Sequence, residues 1–204
     1  MYGVKSDCMD TEPASEYTAD LADWQAYHRR GERAALERLV GRYRRPLFGY
    51  LLRFTEDAGT AEEWFQETWA RVLSRPRGFT RPPLAPWLFR IAHNLVVDSF
   101  RRGRREVPLE TGEEGAEGVA AGALAPDRLV ASRELGERIA AAVAELPEAQ
   151  RETFSLRMDG RLAFKEIAGI QGCSIGTALA RMQYALAKLR AALAADYSDW
   201  KEMR

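Results

Sequence analysis

Between Pro86 and Arg105 the apolar residues Trp87, Leu88, Ile91, Leu95, Val96 and Phe100 recur at spacings of three and four, and the stretch then runs out into Arg101, Arg102, Arg104 and Arg105. That is the period of an α-helix with one buried stripe, so the segment predicts a helix that backs onto a core and ends in a basic cluster. Arg90, Asn94 and Asp98 fall on the other side and offer hydrogen bonds as well as charge. Such a helix fits a polyanion. A solubilising helix end is the plainer reading of the arginines, but four in five residues exceed what a helix dipole calls for.

The same period recurs along most of the chain. Residues 1–19 have no sustained apolar spacing and read as a leader. Leu21, Trp24 and Tyr27 predict a short helix ending at Gly31, and a longer one follows from Glu32 through Leu39, Tyr43, Leu47, Leu51 and Phe54, with a kink expected at Pro46. Thr60 followed by Glu63 reads as a capping box opening a helix that reaches Ser74 and carries Ala61, Trp64, Phe65, Thr68, Trp69 and Val72 inward. Residues 75–86 hold four prolines and a glycine, and read as a loop.

Residues 106–130, rich in Gly, Ala and Glu, read as a flexible linker. Its ends average roughly 28 Å apart as a coil, with a stretched limit of about 80 Å. The helical period resumes at Ala131 with Leu135, Ile139, Ala142, Val143 and Leu146, and Phe154, Leu156 and Met158 continue that core. A short helix over 162–170, the turn Gln171-Gly172-Cys173 and Ser174 capping a helix to about Ala195 form a helix-turn-helix pattern. The expected fold is therefore all-α, with two small helical domains at 20–105 and 131–195 and a tail at 196–204.

Formal charge is zero overall but unevenly spread. From Arg29 to Arg105 there are 17 Arg against 8 acids, a net of +9, whereas Met1–His28 and Glu106–Val130 are each −5. A basic domain between acidic segments points to nucleic acid, since clustered arginines release counterions on binding. The acidic flanks equally suit solubilising segments. Cys8 and Cys173 form no metal-binding spacing and are expected to be free thiols. His28 and His93 lack the partners of a helical metal site, so no metal or cofactor is expected. No apolar run nears the ~18 residues that span a bilayer, and the acidic N-terminus is unlike a signal peptide, which places the protein in the cytoplasm. No paired acid and base or nucleophile arrangement points to an enzyme.

Four segments in order, RYRRPLFGYLLRFT (42–55), AEEWFQETWARVL (61–73), PWLFRIAHNLVVDSFRR (86–102) and the stretch 146–190, resemble regions 2.1, 2.2, 2.3–2.4 and 4 of the extracytoplasmic-function (ECF) family of bacterial RNA polymerase sigma factors, in the sigma-70 superfamily. The resemblance covers roughly Asp20 to Ala195. It implies a factor that binds core RNA polymerase, recognises −10 and −35 promoter elements and promotes DNA opening. It implies docking on the polymerase β′ clamp helices through Glu62, Glu63, Gln66, Glu67 and Arg71, and contact with the β flap. By the same analogy Arg77, Phe79 and Arg81 of the loop, with Arg90, Asn94, Asp98, Arg101, Arg102, Arg104 and Arg105, hold melted −10 DNA. Asn94 is the candidate base reader and the arginines are the phosphate grip. Ordinary helix-surface polarity remains the alternative for Asn94 and Asp98.

In the second domain the resemblance assigns Ser174, Gly176 and Thr177 to the backbone of the −35 element. Leu179, Arg181, Gln183, Tyr184 and Lys188 would face DNA or its flank. Here the sequence departs from the pattern, because many relatives carry several basic residues where this helix has a single arginine before Lys188. Packing is the role expected of Ala178, Met182, Ala185 and Leu189. An anti-sigma factor is the regulator the family implies. The competing reading is a stand-alone helix-turn-helix transcriptional regulator, which leaves Trp64, Trp69 and the proline loop unexplained.

Overall fold

A computed structural model describes residues 14–55, 57–74, 84–106 and 126–194, with side chains at 18–55, 57–74, 84–102 and 135–194. The leader to residue 13, the loop residues Arg77, Phe79 and Arg81, the side chains of Arg104 and Arg105, residues 107–125 of the segment read as a linker (106–130) and the tail lie outside the described residues, while the last five residues of that segment already belong to a helix. The described elements are eight helices: α1 (Ala14–Arg30), α2 (Arg33–Leu52), α3 (Ala58–Ser74), α4 (Leu84–Glu106), α5 (Pro126–Ala144), α6 (Glu148–Met158), α7 (Phe164–Gln171) and α8 (Ile175–Ala192).

Helix α1 begins at Ala14, inside the segment read as a leader. Beside the buried Trp24 and Ala26, its anchor is polar. Asp20 pairs with Arg42 and Tyr43, and Asp23 accepts from Arg38 Nε at 2.9 Å and Arg42 Nη2 at 3.0 Å. Burial alone would raise the Asp23 carboxyl, but the hydrogen bonds and charges of Arg38 and Arg42 bring it below its ordinary value. Gly31 closes α1 at φ +66°, its N–H donating to Tyr27 O at 2.9 Å. Only glycine takes that conformation without Cβ strain.

Helix α2 runs unbroken through Pro46. An interior proline costs about 3 kcal/mol. Leu39, Leu47, Tyr50 and Leu51 are fully buried around it, each contributing about 1.5–3 kcal/mol, and that sum wins. The cap of α3 is Asp57 rather than Thr60: its carboxylate accepts from Gly59 N (3.2 Å), Thr60 N (2.7 Å) and Thr60 Oγ1 (2.9 Å). An Asp three residues before the expected cap offers an ionised acceptor, which is the stronger one.

Helix α4 buries Leu84, Ala85, Leu88, Phe89, Ala92, Leu95 and Val96, while Phe100 is 38% exposed near the end where the arginines take over. In the second domain Val143, Leu146, Phe154, Met182, Ala185 and Leu189 form their own cluster. Met158, expected in that core, is 56% exposed because it is the last residue of α6; Leu135 and Ile139 on α5 are both 37% exposed. Helix α7 starts two residues later than its apolar spacing implied, at Phe164, where Glu166 Oε2 accepts from Ala163 N at 2.9 Å.

The two domains share a continuous core. Leu156, Leu162, Ile167, Ala168, Ile170 and Ala178 of the second domain belong to the same buried cluster as Leu47, Tyr50, Leu88 and Phe89 of the first. Polar clamps flank this seam. Arg53 Nε and Nη2 donate to Asp159 at 2.8 and 3.2 Å, the Arg151 guanidinium stacks over Phe54 at 5.5 Å, and Glu152 meets both His93 and Tyr50.

Candidate nucleic-acid and polymerase interfaces

The geometry of α4 follows from its period. With the apolar residues 85, 88, 89, 92, 95 and 96 inward, Arg90, Asn94, Asp98 and Arg101 come to one opposite face at spacings of three and four, and all are exposed, as is Arg102. The structure therefore brings together four of the residues expected at the −10 element, with Arg102 exposed beside them. His93 sits at the edge of this face. Its Nδ1 meets Glu152 Oε1 of α6, which also accepts from Tyr50 Oη at 3.2 Å. Burial and the nearby Glu152 charge push the Tyr50 phenol well above its ordinary value, so it stays neutral and donates. Beside this flank a side-chain carbon on Gly169 of α7 would stand 3.2 Å from Arg90 Nη2.

The acids of α3 are partly engaged within the domain. Glu67 accepts from Arg71 Nε at 2.7 Å, one turn along the helix, and Glu62 lies 3.6 Å from Arg44 Nη2 of α2 and accepts from Gln66 Nε2 at 3.5 Å. Glu63, Gln66, Glu67 and Arg71 are exposed and Glu62 is half-buried. These pairs are solvent-facing and individually worth about 0–1 kcal/mol, so a protein partner exchanges them at little cost.

Gly172, at φ +62°, ends α7, and Ser174 caps α8 by accepting from Thr177 N at 3.0 Å. The Ser174 and Thr177 hydroxyls also lie 2.8 Å apart. Ala178, Met182, Ala185 and Leu189 are buried, as their expected packing role requires, which turns Ser174, Gly176, Thr177, Leu179, Gln183, Tyr184 and Lys188 outward. Arg181 behaves differently. Half-buried, it donates through Nη1 to Gln171 Oε1 at 3.0 Å, and the same nitrogen lies 3.6 Å from Cys173 Sγ.

Two residues absent from the sequence-based sites, Glu152 and Gln171, organise this region. Gln171 Nε2 donates to Glu152 Oε2 at 2.8 Å while its Oε1 faces Arg181, so one amide links the carboxylate at the domain seam to α8. No local signal pointed to them, because the partners are distant in sequence. The cysteine, which has no basic neighbour in sequence, acquires one in space.

Comparison with known proteins follows the same division. Residues 39–106 match Sigma-70 region 2 and residues 136–189 match Sigma-70, region 4. The chain is 30% identical over 182 residues to the ECF RNA polymerase sigma factor RpoE of Cereibacter sphaeroides, covering 84% of this chain and 96% of that one. It is 32% identical over 165 residues to the ECF RNA polymerase sigma factor SigL of Mycobacterium tuberculosis, covering 79% and 90%. The fold is shared with the sigma factor RpoE solved in complex with the anti-sigma factor NepR from Bartonella quintana, at TM-score 0.62 and 22% identity over 79% of this chain and 98% of that one. CnrH, solved with the cytosolic domain of CnrY, gives 0.59 and 22% over 88% and 97%.

Proposed function

The chain belongs to the ECF family of RNA polymerase sigma factors, and as such is a promoter-recognising initiation factor; we propose that it divides this task between α4 and α8 while α3 holds core polymerase. The exposed face of α4 carries the reading: Arg90, Asn94, Asp98 and Arg101 in register opposite a fully apolar face, continued by Arg102. Opening DNA costs a few kcal/mol per unstacked base, offset by stacking and by hydrogen bonds to the splayed base. Asn94 supplies a donor and an acceptor for a base edge, and Arg101, Arg102, Arg104 and Arg105 supply the phosphate grip. Asp98 orients an arginine within that face. Arg77, Phe79 and Arg81, just before α4 in sequence, are assigned to the same −10 contact by the family resemblance.

Glu62, Glu63, Gln66, Glu67 and Arg71 of α3 form the docking surface for the β′ clamp helices, and the second domain meets the β flap. Ser174, Gly176 and Thr177 lie along the −35 backbone, with Lys188 further down the helix. The regulating partner is an anti-sigma factor, as in the solved Bartonella complex. Among the described residues no helix is long and apolar enough to cross a membrane. The stand-alone regulator is not favoured, since both sigma regions are matched in order.

The test is transcription by core polymerase from a promoter library, with and without this chain. Dependent transcripts sharing a −10 element are expected, and Asn94→Ala should relax selection at one position of it. A library that yields no dependent transcript overturns the reading.

A further inference from the structure

The outward face of α8 is poor in charge and carries the two groups that recognise A·T pairs. Opposite the buried Ala178, Met182, Ala185 and Leu189 lie Gly176, Gln183 and Tyr184, with Leu179 beside them. Leu179 is 41% exposed and Tyr184 64%. From Ile175 to Ala187 the sequence holds a single cation, Arg181, and it is anchored. Its guanidinium only donates and the Glu152 carboxylate only accepts, so the Gln171 amide between them has one workable orientation, carbonyl to Arg181 and NH2 to Glu152. Arg181 is thereby held at the flank of α8, beside the turn.

In a major groove guanine is read chiefly by arginine or lysine, adenine by asparagine or glutamine, and the thymine methyl by apolar side chains. With Arg181 drawn aside, the guanine-reading chemistry is missing from the centre of this face, and Gln183 and Leu179 remain. They stand one turn apart, a rise of about 6 Å, or roughly two base-pair steps. Gly176, with no side chain, lets the first turn come close to the duplex.

We propose that α8 reads neighbouring A·T pairs, Gln183 pairing with adenine N6 and N7 and Leu179 packing on a thymine methyl, while Arg181 holds a phosphate. This rests on the assignment of α8 to the −35 element. The experiment uses the full chain with core polymerase on a promoter library randomised over the upstream element, sequencing the templates transcribed. A·T pairs should be selected at two neighbouring positions. Gln183→Ala should relax one of them by about tenfold, and Leu179→Arg should move the other towards guanine. Replacing the selected thymine by deoxyuridine removes one methyl and should cost the wild type about fourfold and Leu179→Ala nothing. Selection of G·C at these positions, no upstream selection beside a clear −10 element, or indifference to deoxyuridine overturns this proposal alone. Absence of any dependent transcript fails the sigma-factor assignment instead.

Discussion

Helices α4 and α8 are both amphipathic, and each carries one domain's candidate DNA face, yet they are built in opposite ways. The inward side of α4 is large, with Leu88 and Phe89 fully buried, and its outward side is rich in arginine. Two of the four buried residues of α8 are alanines, its outward side has few charges, and its one central arginine is tied to Gln171. The difference supports the proposed division of labour. A helix that grips phosphates needs a rigid base and free cations, whereas a helix that discriminates base edges needs close approach and little non-specific charge, which binds every sequence alike.

The largest expected effect tests the bases of the two helices. Phe89 lies in the cluster that both domains share, so Phe89→Ala should cost about 3–5 kcal/mol, while Met182→Ala, in the smaller cluster, should fall near 2 kcal/mol, the low end for that change. Denaturant melts of the two variants decide it. Equal losses would mean that α8 is braced as firmly as α4. The next effect concerns grip. Arg101→Ala with Arg102→Ala should weaken the open promoter complex by on the order of tenfold and flatten the slope of log affinity against log salt by about 1.4–1.8, the value for two phosphate contacts. Arg181→Ala should change that slope by less than 1. A matching change from the single variant would erase the contrast between the helices.

Acid separates the domains further. The folded Asp23 carboxyl sits below its usual 3.8, so its pairing with Arg38 and Arg42 stabilises the first domain above that value and is lost as pH falls through the folded value. Four of the five tryptophans, at 24, 64, 69 and 87, lie in the first domain and the fifth is in the tail. Tryptophan fluorescence should therefore report loss of α1 docking below about pH 4, and Asp23→Asn should make that loss less steep. An acid transition identical in the variant would show that another group governs it.

The period of the apolar residues made much of this legible. It marked α4 from Pro86 onward and the four packing residues of α8, while Gly31 marked the end of α1 and Ser174 the start of α8 through turn and cap chemistry. What it missed has a common cause. The ion pairs of Asp20 and Asp23 add to the docking of α1 without any apolar spacing to announce them, and Asp57 displaced Thr60 as cap because an ionised carboxylate accepts more strongly than a hydroxyl. Met158, Leu135 and Ile139 had the right period but remain exposed. The seam was invisible because Arg53 and Asp159 are 106 residues apart, and His93 and Glu152 are 59 apart. Among the candidate −10 residues the face of α4 was readable at helical spacing, whereas the anchoring of Arg181 depends on α6, α7 and α8 converging.

The smallest expected effect asks whether the face of α4 is as free as the contrast requires. Gly169 lies inside α7, where alanine is favoured over glycine by about 1 kcal/mol. Its new methyl would meet only Arg90 Nη2, the far end of a flexible side chain from the other domain, at 3.2 Å. If Arg90 is free to shift by a few tenths of an ångström, Gly169→Ala keeps most of the helix gain and raises Tm by about 2–4 °C. A fall in Tm would mean that Arg90 is held against the seam as Arg181 is held by Gln171. Each DNA face would then have an arginine tied into the fold, and domain closure, rather than the chemistry of either helix, would decide which cations reach DNA.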